Sequence, residues 1–186
     1  MVAGLNEDSP MRILLILLLL PIFAAAQEQD GTEQPATPGC DQAEQRQFDF
    51  WAGDWEVTAN DKIAGSNRVD LILNGCVLQE NWQGAGPGGV RGTSFNIYDK
   101  ATGHWHQSWV DSTGFLLQLD GGLVDGVMVL RGERPSPDGK GLTLHRISWT
   151  PLPDGTVRQL WEASTDDGNT WSVLFDGLYS RKAGQP

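Results

Sequence analysis

Reactive and metal-binding side chains are scarce in this sequence: its 186 residues include 2 cysteines and 3 histidines. It contains no Gly-x-Ser-x-Gly elbow, no glycine loop followed by Lys-Ser or Lys-Thr, and no cysteine beside a histidine. The common nucleophile and nucleotide-binding constellations are therefore not a starting point. Basic residues are few as well: 13 Lys and Arg stand against 24 Asp and Glu, a formal net charge of -11. That balance repels nucleic acid and anionic membrane surfaces and favours solubility. Acidic residues never run longer than a pair, so the charge reads as a solvated surface. Long apolar runs are also missing, with one exception near the start.

The exception is residues 13–23, apolar apart from Pro21, preceded by Arg12 and followed by Ala24, Ala25 and Ala26. Charged, apolar and small residues in that order are the layout of a secretory signal, with cleavage expected after Ala26. The run falls short of the roughly 18 to 20 residues that span a bilayer as a helix, so no stable membrane anchor is expected. Glu7 and Asp8 do not belong in a basic leader, which places the expected start of translation at Met11. Residues 1–26 are thus read as a signal peptide, and the chain as periplasmic or extracellular. Removing them leaves 160 residues, enough for one domain with a sizeable core. In an exported chain, the two cysteines predict a structural Cys40–Cys76 bridge that pins the N-terminal segment to a strand. Their spacing fits neither a zinc site nor a redox pair.

Residues 27–39 (QEQDGTEQPATPG) read as a disordered linker. A short helix is expected over 41–51, capped by Asp41, because Phe48 and Trp51 recur at helical spacing. From Asp54 onward, short segments rich in Val, Trp, Phe, Leu and Thr alternate with turn clusters, giving about ten strands. Turn signals fall at 99–103, 111–114, 120–122, 125–126, 135–141, 153–155 and 166–168. Short turns join antiparallel neighbours, so the expected fold is all-β: an antiparallel meander over 40–182 closing into a single barrel, with a β-sandwich as the alternative.

Residues two apart on a strand share a face, and the apolar face should point inward. That rule directs inward Trp55 and Val57, Leu78 and Trp82, Phe95 and Ile97, Trp105 and Trp109, and Phe115, Leu117 and Leu119. Later strands contribute Val127 and Val129, Ile147 and Trp149, Val157 and Trp161, then Trp171, Val173 and Phe175. Four polar residues are in phase with this apolar face: Glu80, Gln107, His145 and Gln159. Buried polar groups need partners, so these four either orient a ligand in a pocket walled by Trp82, Trp105, Trp109 and Trp161, or form an internal network, or sit at a rim.

Other motifs have plainer readings. His104 and His106 share a strand face, a spacing known from metal sites, but if Trp105 points inward both point outward, away from His145. No metal and no cofactor is expected; His145 is the one histidine placed to act as an axial haem ligand. The segment 164–171 fits the Asp-box pattern Ser-x-Asp-x-Gly-x-Thr-Trp of sialidase-type propellers. One copy cannot make a propeller, so it reads as a hairpin turn. The glycine-rich stretch 84–92 reads as a mobile loop or lid. Glu80 could act as a general base if burial raises its pKa, with Glu162 or Asp111 as partner.

The stretch Phe48-Asp-Phe-Trp-Ala-Gly-Asp-Trp-Glu-Val57 resembles the opening of a family of exported bacterial domains with a calycin-like, lipocalin-type barrel. Residues 75–80, 92–96, 105–111, 157–161 and 167–171 extend the likeness over about 40–182. The resemblance implies a barrel and carries no activity with it, and fold likeness to lipocalins is only an analogy for ligand binding. Three readings stay open: a barrel that binds a small apolar or amphipathic molecule, an isomerase or hydrolase using Glu80 in the same cavity, and an interaction module with Met128, Leu130 and Leu178 forming an exposed patch.

Overall fold

The computed structural model describes residues 39–182. The signal peptide, the start at Met11 and residues 27–38 of the linker lie outside the described residues. Ten strands follow in order: β1 (Gly53–Ala59), β2 (Lys62–Ile72), β3 (Val77–Gly84), β4 (Arg91–Asp99), β5 (His104–Asp111), β6 (Leu116–Val124), β7 (Val127–Pro135), β8 (Leu142–Pro151), β9 (Val157–Ser164) and β10 (Ser172–Arg181). Each pairs antiparallel with its chain neighbours. β1 closes on β10, with Trp55 opposite Arg181 and Val57 opposite Tyr179, so the sheet is a closed barrel with no exposed edge.

Because neighbours alternate in direction, the turns divide between two ends. One end is sealed by the segment before β1, and the expected helix there is two short 3-10 turns, Ala43–Arg46 and Asp49–Trp51. Gln42, not Asp41, stands at the cap position, where its backbone N–H donates to Gln45 Oε1 at 3.3 Å. The Cys40–Cys76 disulfide is present, with Cα atoms 4.8 Å apart, and ties this segment to the turn between β2 and β3. Arg46 adds a bond to the Gly75 carbonyl of the same turn. Phe48 and Trp51 are fully buried and stack with ring centroids 5.0 Å apart. Trp105 and Trp149 meet Phe48 edge-on at 5.6 and 5.1 Å, and Trp55 donates its indole N–H to the Trp51 carbonyl at 2.9 Å. This aromatic stack is the floor of the barrel.

Alternation places Trp55, Val57, Leu78, Leu117, Leu119, Ile147, Trp149 and Val157 inside as expected. Three strands depart from it. On β4, Phe95 is 47% exposed and Ile97 lies outside with it, while Ser94 and Asn96 are buried; there the interior carries a polar network, so hydrophobicity points the wrong way. On β7, Met128 and Leu130 are fully buried and Val127 and Val129 face outward. Both faces of that strand are apolar in sequence, so alternation alone has no preference. Two of the three members of the expected Met128, Leu130 and Leu178 surface patch are therefore in the core. On β10 the register against β9 shifts between Val173 and Phe175, which leaves Val173 60% exposed and Phe175 half-buried. Trp171 sits beyond that shift, under the Arg146 guanidinium at 4.4 Å from its ring centroid. The expected turn at 120–122 is also absent: Gly121 and Gly122 lie within β6, and a Cβ at Gly121 would come 2.1 Å from the Val129 carbonyl oxygen.

Candidate functional site

Above the floor the barrel widens into a chamber of about 310 Å³. Glycines make the room. A Cβ at Gly65 would lie 2.8 Å from the Trp82 ring, one at Gly92 would lie 2.2 Å from the Trp109 ring, and one at Gly177 would meet the Phe175 ring. Each aromatic ring lies flat over a bare stretch of backbone instead of filling the centre. Trp82, Trp109 and Phe175 thereby form walls, joined by Trp161, with Leu117 opposite Trp109, Ile147 opposite Trp161, and Val90 and Leu174 toward the mouth. Val90 ends the glycine-rich loop, which is tied down by bonds from Gly84 N–H to the Val90 carbonyl (2.9 Å) and from Ala85 N–H to the Ala64 carbonyl (2.8 Å).

One side of the chamber is polar. Glu80 is buried, accepting from Asn67 Nδ2 at its Oε1 and from Ser94 Oγ at its Oε2, both at 2.7 Å. Asn96 Nδ2 donates to Ser94 Oγ at 2.9 Å, and Gln107 Nε2 donates to Asn96 Oδ1 at 2.7 Å. Tyr179 donates its hydroxyl to Gln159 Oε1 and stands 3.5 Å from Asn67 Nδ2. The chain of bonds runs through four neighbouring strands, β2 to β5, and joins β9 and β10 across the barrel seam. Burial, only partly offset by the Ser94 and Asn67 bonds, raises the Glu80 pKa to about 7. Both Glu80 oxygens accept in this network while Ser94 Oγ in turn accepts from Asn96, so the bonds as placed favour the carboxylate and oppose the effect of burial. Burial and the adjacent Glu80 charge push the Tyr179 phenol up.

Glu80, Gln107 and Gln159 all line the chamber, together with Trp82, Trp109 and Trp161. Among the described residues, Gln107 Oε1 and Gln159 Nε2 have no hydrogen-bond partner in the protein, one acceptor and one donor left for a molecule in the chamber. Trp105 is not part of this wall: it is buried in the floor, donating to the Glu44 carbonyl at 3.2 Å. Asn67, Ser94, Asn96 and Tyr179 belong to the network without having been expected. Ser94 and Asn96 alternate with Phe95 and Ile97, whose hydrophobicity points the phase the other way, and Asn67 shares the inward face of Val69.

His145 belongs to a second hollow at the open end. It accepts the Trp161 indole N–H at Nδ1 (3.1 Å), so in its neutral form the proton sits on Nε2. Burial and the nearby Arg134 charge lower its pKa, which keeps that neutral form at pH 7. This hollow, about 370 Å³, is lined by His145, Arg134, Phe115, Thr143 and Ser164 among others. Leu174 borders both hollows.

The expected partners of Glu80 are otherwise engaged. Glu162 lies on the outer wall, bonded to Arg146 at 2.8 Å. Asp111 stands at the chamber rim, where its Oδ1 accepts from the Thr113 hydroxyl (2.6 Å) and backbone (2.8 Å) and holds the turn into β6. The Asp-box segment is a hairpin turn as read: Asp166 accepts from Ser164 Oγ (2.7 Å), Thr170 N (2.9 Å) and Thr170 Oγ1 (2.6 Å). Those bonds hold its pKa down at about 2. His106 faces outward, with Asp120 on Nδ1 at 2.8 Å and Ser108 on Nε2 at 3.1 Å. That is the order of a hydrolase triad, yet neither hollow borders it, so no acyl group or oxyanion would be enclosed there. No family model matches the chain, and no curated protein matches it in sequence.

Proposed function

We propose that the protein is an exported barrel that binds a small apolar or amphipathic molecule in the tryptophan-walled chamber. The observation that carries this reading is a chamber walled by Trp82, Trp109 and Phe175, each laid over a glycine, and by Trp161, with two unpaired amide atoms turned into it. A barrel of this size that needed only a packed core would place branched aliphatic side chains at Gly65, Gly92 and Gly177. Sites for small molecules are built this way, largely apolar with a few fixed polar groups. Export is supported by the disulfide and by the signal-like order of residues 11–26. Membership of the exported calycin-like family is proposed on the Phe48–Val57 stretch, whose Phe48, Trp51, Trp55 and Val57 are all fully buried.

The test is titration of intrinsic tryptophan fluorescence with a panel of small apolar and amphipathic compounds. Saturable quenching or shift, lost in Trp109→Ala, is the expected result; a spectrum that no compound changes would refute it. Glu80, in the chamber with a pKa near neutrality, also favours a second reading, an enzyme that uses this carboxyl as base. Under that reading Glu80→Gln would bind normally and lose turnover.

A further inference from the structure

Three arginines among the described residues are half-buried, and they differ in what neutralises them. Arg46 lies 3.4 Å from Asp49, and Arg146 bonds Glu162 at 2.8 Å. Arg134 has no carboxylate within bonding distance among the described residues. Its guanidinium lies over the Phe115 ring, 3.7 Å from the centroid, on the inward face of β7 at two-residue spacing from Leu130 and Gly132. A face-on stack on a ring leaves the N–H groups at the edge of the guanidinium plane free to meet an anion. In a chain of net charge -11, a half-buried cation without an acidic partner stands out.

Its surroundings are built for the same chemistry. His145, whose Nδ1 is occupied by Trp161, offers its Nε2–H, and Thr143 brings to the same hollow a hydroxyl that it shares with Ser136, while the Ser164 hydroxyl is given to Asp166. Asp166, the carboxylate of the hairpin that borders this hollow, is taken up by Ser164 and Thr170. The cationic hollow and the tryptophan chamber are adjacent, since Trp161 lines one, its bonding partner His145 lines the other, and Leu174 lines both.

We infer that Arg134 and His145 form an anion subsite, and that the ligand is an amphipathic organic acid whose carboxylate rests on Arg134 while its apolar body lies among Trp82, Trp109 and Trp161. This rests on the chamber being a binding site and adds the charge of what it binds. One guanidinium and one neutral imidazole match a single negative charge, and the planar fork fits a carboxylate in two parallel bonds. A phosphate dianion would leave a charge uncompensated.

The experiment measures binding of octanoate, 1-octanol and octylamine to the mature protein at neutral pH by tryptophan fluorescence and calorimetry. These probes share one apolar body and differ in the head. Octanoate is expected to bind roughly tenfold more tightly than octanol, a gap set by a charge-assisted bond pair. Arg134→Gln should close that gap while leaving octanol affinity within about twofold, and Arg134→Lys should keep part of it, because charge remains and the fork is lost. Retained octanol binding also reports that the variants are folded. Equal binding of octanoate and octanol by the wild type, or a gap unchanged in Arg134→Gln, would overturn the anion subsite and leave the chamber reading standing. Tightest binding of octylamine would overturn it too and assign the head group to Glu80. Binding of none of the three would refute the subsite and the chamber together.

Discussion

The barrel has two tryptophan-rich halves that use the same residue to opposite ends. In the floor, Trp51, Trp55, Trp105 and Trp149 are buried against Phe48 and one another, and their rings fill the space. In the upper half, Trp82, Trp109 and Trp161 stay half-buried, and their rings line a space that Gly65 and Gly92 help to leave open. Floor tryptophans pack ring on ring, whereas Trp82 and Trp109 lie against the bare backbone of Gly65 and Gly92, Trp161 lies against Phe115 and His145, and all three border the chamber. Residue type sets neither role. What decides is the neighbour: the Phe48 and Trp51 segment in the floor, and for Trp82 and Trp109 in the wall a glycine on the adjacent strand.

The comparison breaks most sharply if truncation costs the same in both halves. Phe48→Ala removes the ring on which Trp51, Trp105 and Trp149 all rest, and should cost about 3 to 5 kcal/mol in urea denaturation. Opening the disulfide with Cys40→Ser and Cys76→Ser releases the same floor from the turn between β2 and β3. The loss expected from chain entropy for a separation of 36 residues is about 3 to 4 kcal/mol, read as a fall in thermal midpoint under identical buffer conditions. A floor that tolerates both changes would not be the stability anchor described above.

The polar wall gives a pH signature that the floor lacks. In the folded state Glu80 holds its proton up to about 7, above the ordinary 4.5, so the folded chain binds more protons than the unfolded chain between those values. Stability from this group is therefore full below about pH 4.5, falls as pH rises through the window, and levels off above 7. The total is on the order of 3 kcal/mol. Glu80→Gln should flatten that part of the stability curve, so that wild type and variant diverge between pH 5 and pH 8; parallel curves would mean that Glu80 is solvated. At the small end, Trp109→Ala should cost only about 1 kcal/mol of stability, since its ring lies against backbone and the chamber. A loss as large as that of Phe48→Ala would place Trp109 in a filled core.

How much of this was legible in the sequence follows the same division. The floor was readable because its residues obey the simple rule: Trp55, Val57 and Trp149 alternate with polar neighbours, and the apolar phase is the buried one. The site was readable only in part. Glu80, Gln107, His145 and Gln159 stood out as polar residues in an apolar phase, and all four are buried. Ser94 and Asn96 did not, because Phe95 and Ile97 between and beside them made the outer face of β4 the more apolar one. Arg134 was hidden by the same kind of error on β7, where Val127, Met128, Val129 and Leu130 offer two equally apolar phases. Only the interior position of Leu130, followed by Gly132, puts Arg134 inside. The shift of register on β10 has no sequence marker beyond Gly177, and it moved Val173 and Trp171 out of the expected interior.

The central claim is that the upper half is a chamber and not a filled core. A crystal structure of the protein soaked with octanoate tests it most directly. The expected result is density for the alkyl chain between Trp82, Trp109 and Trp161, with the Glu80, Ser94, Asn96 and Gln107 bonds intact. Trp109 and Phe175 rings collapsed onto one another, with no room for a chain between them, would contradict it.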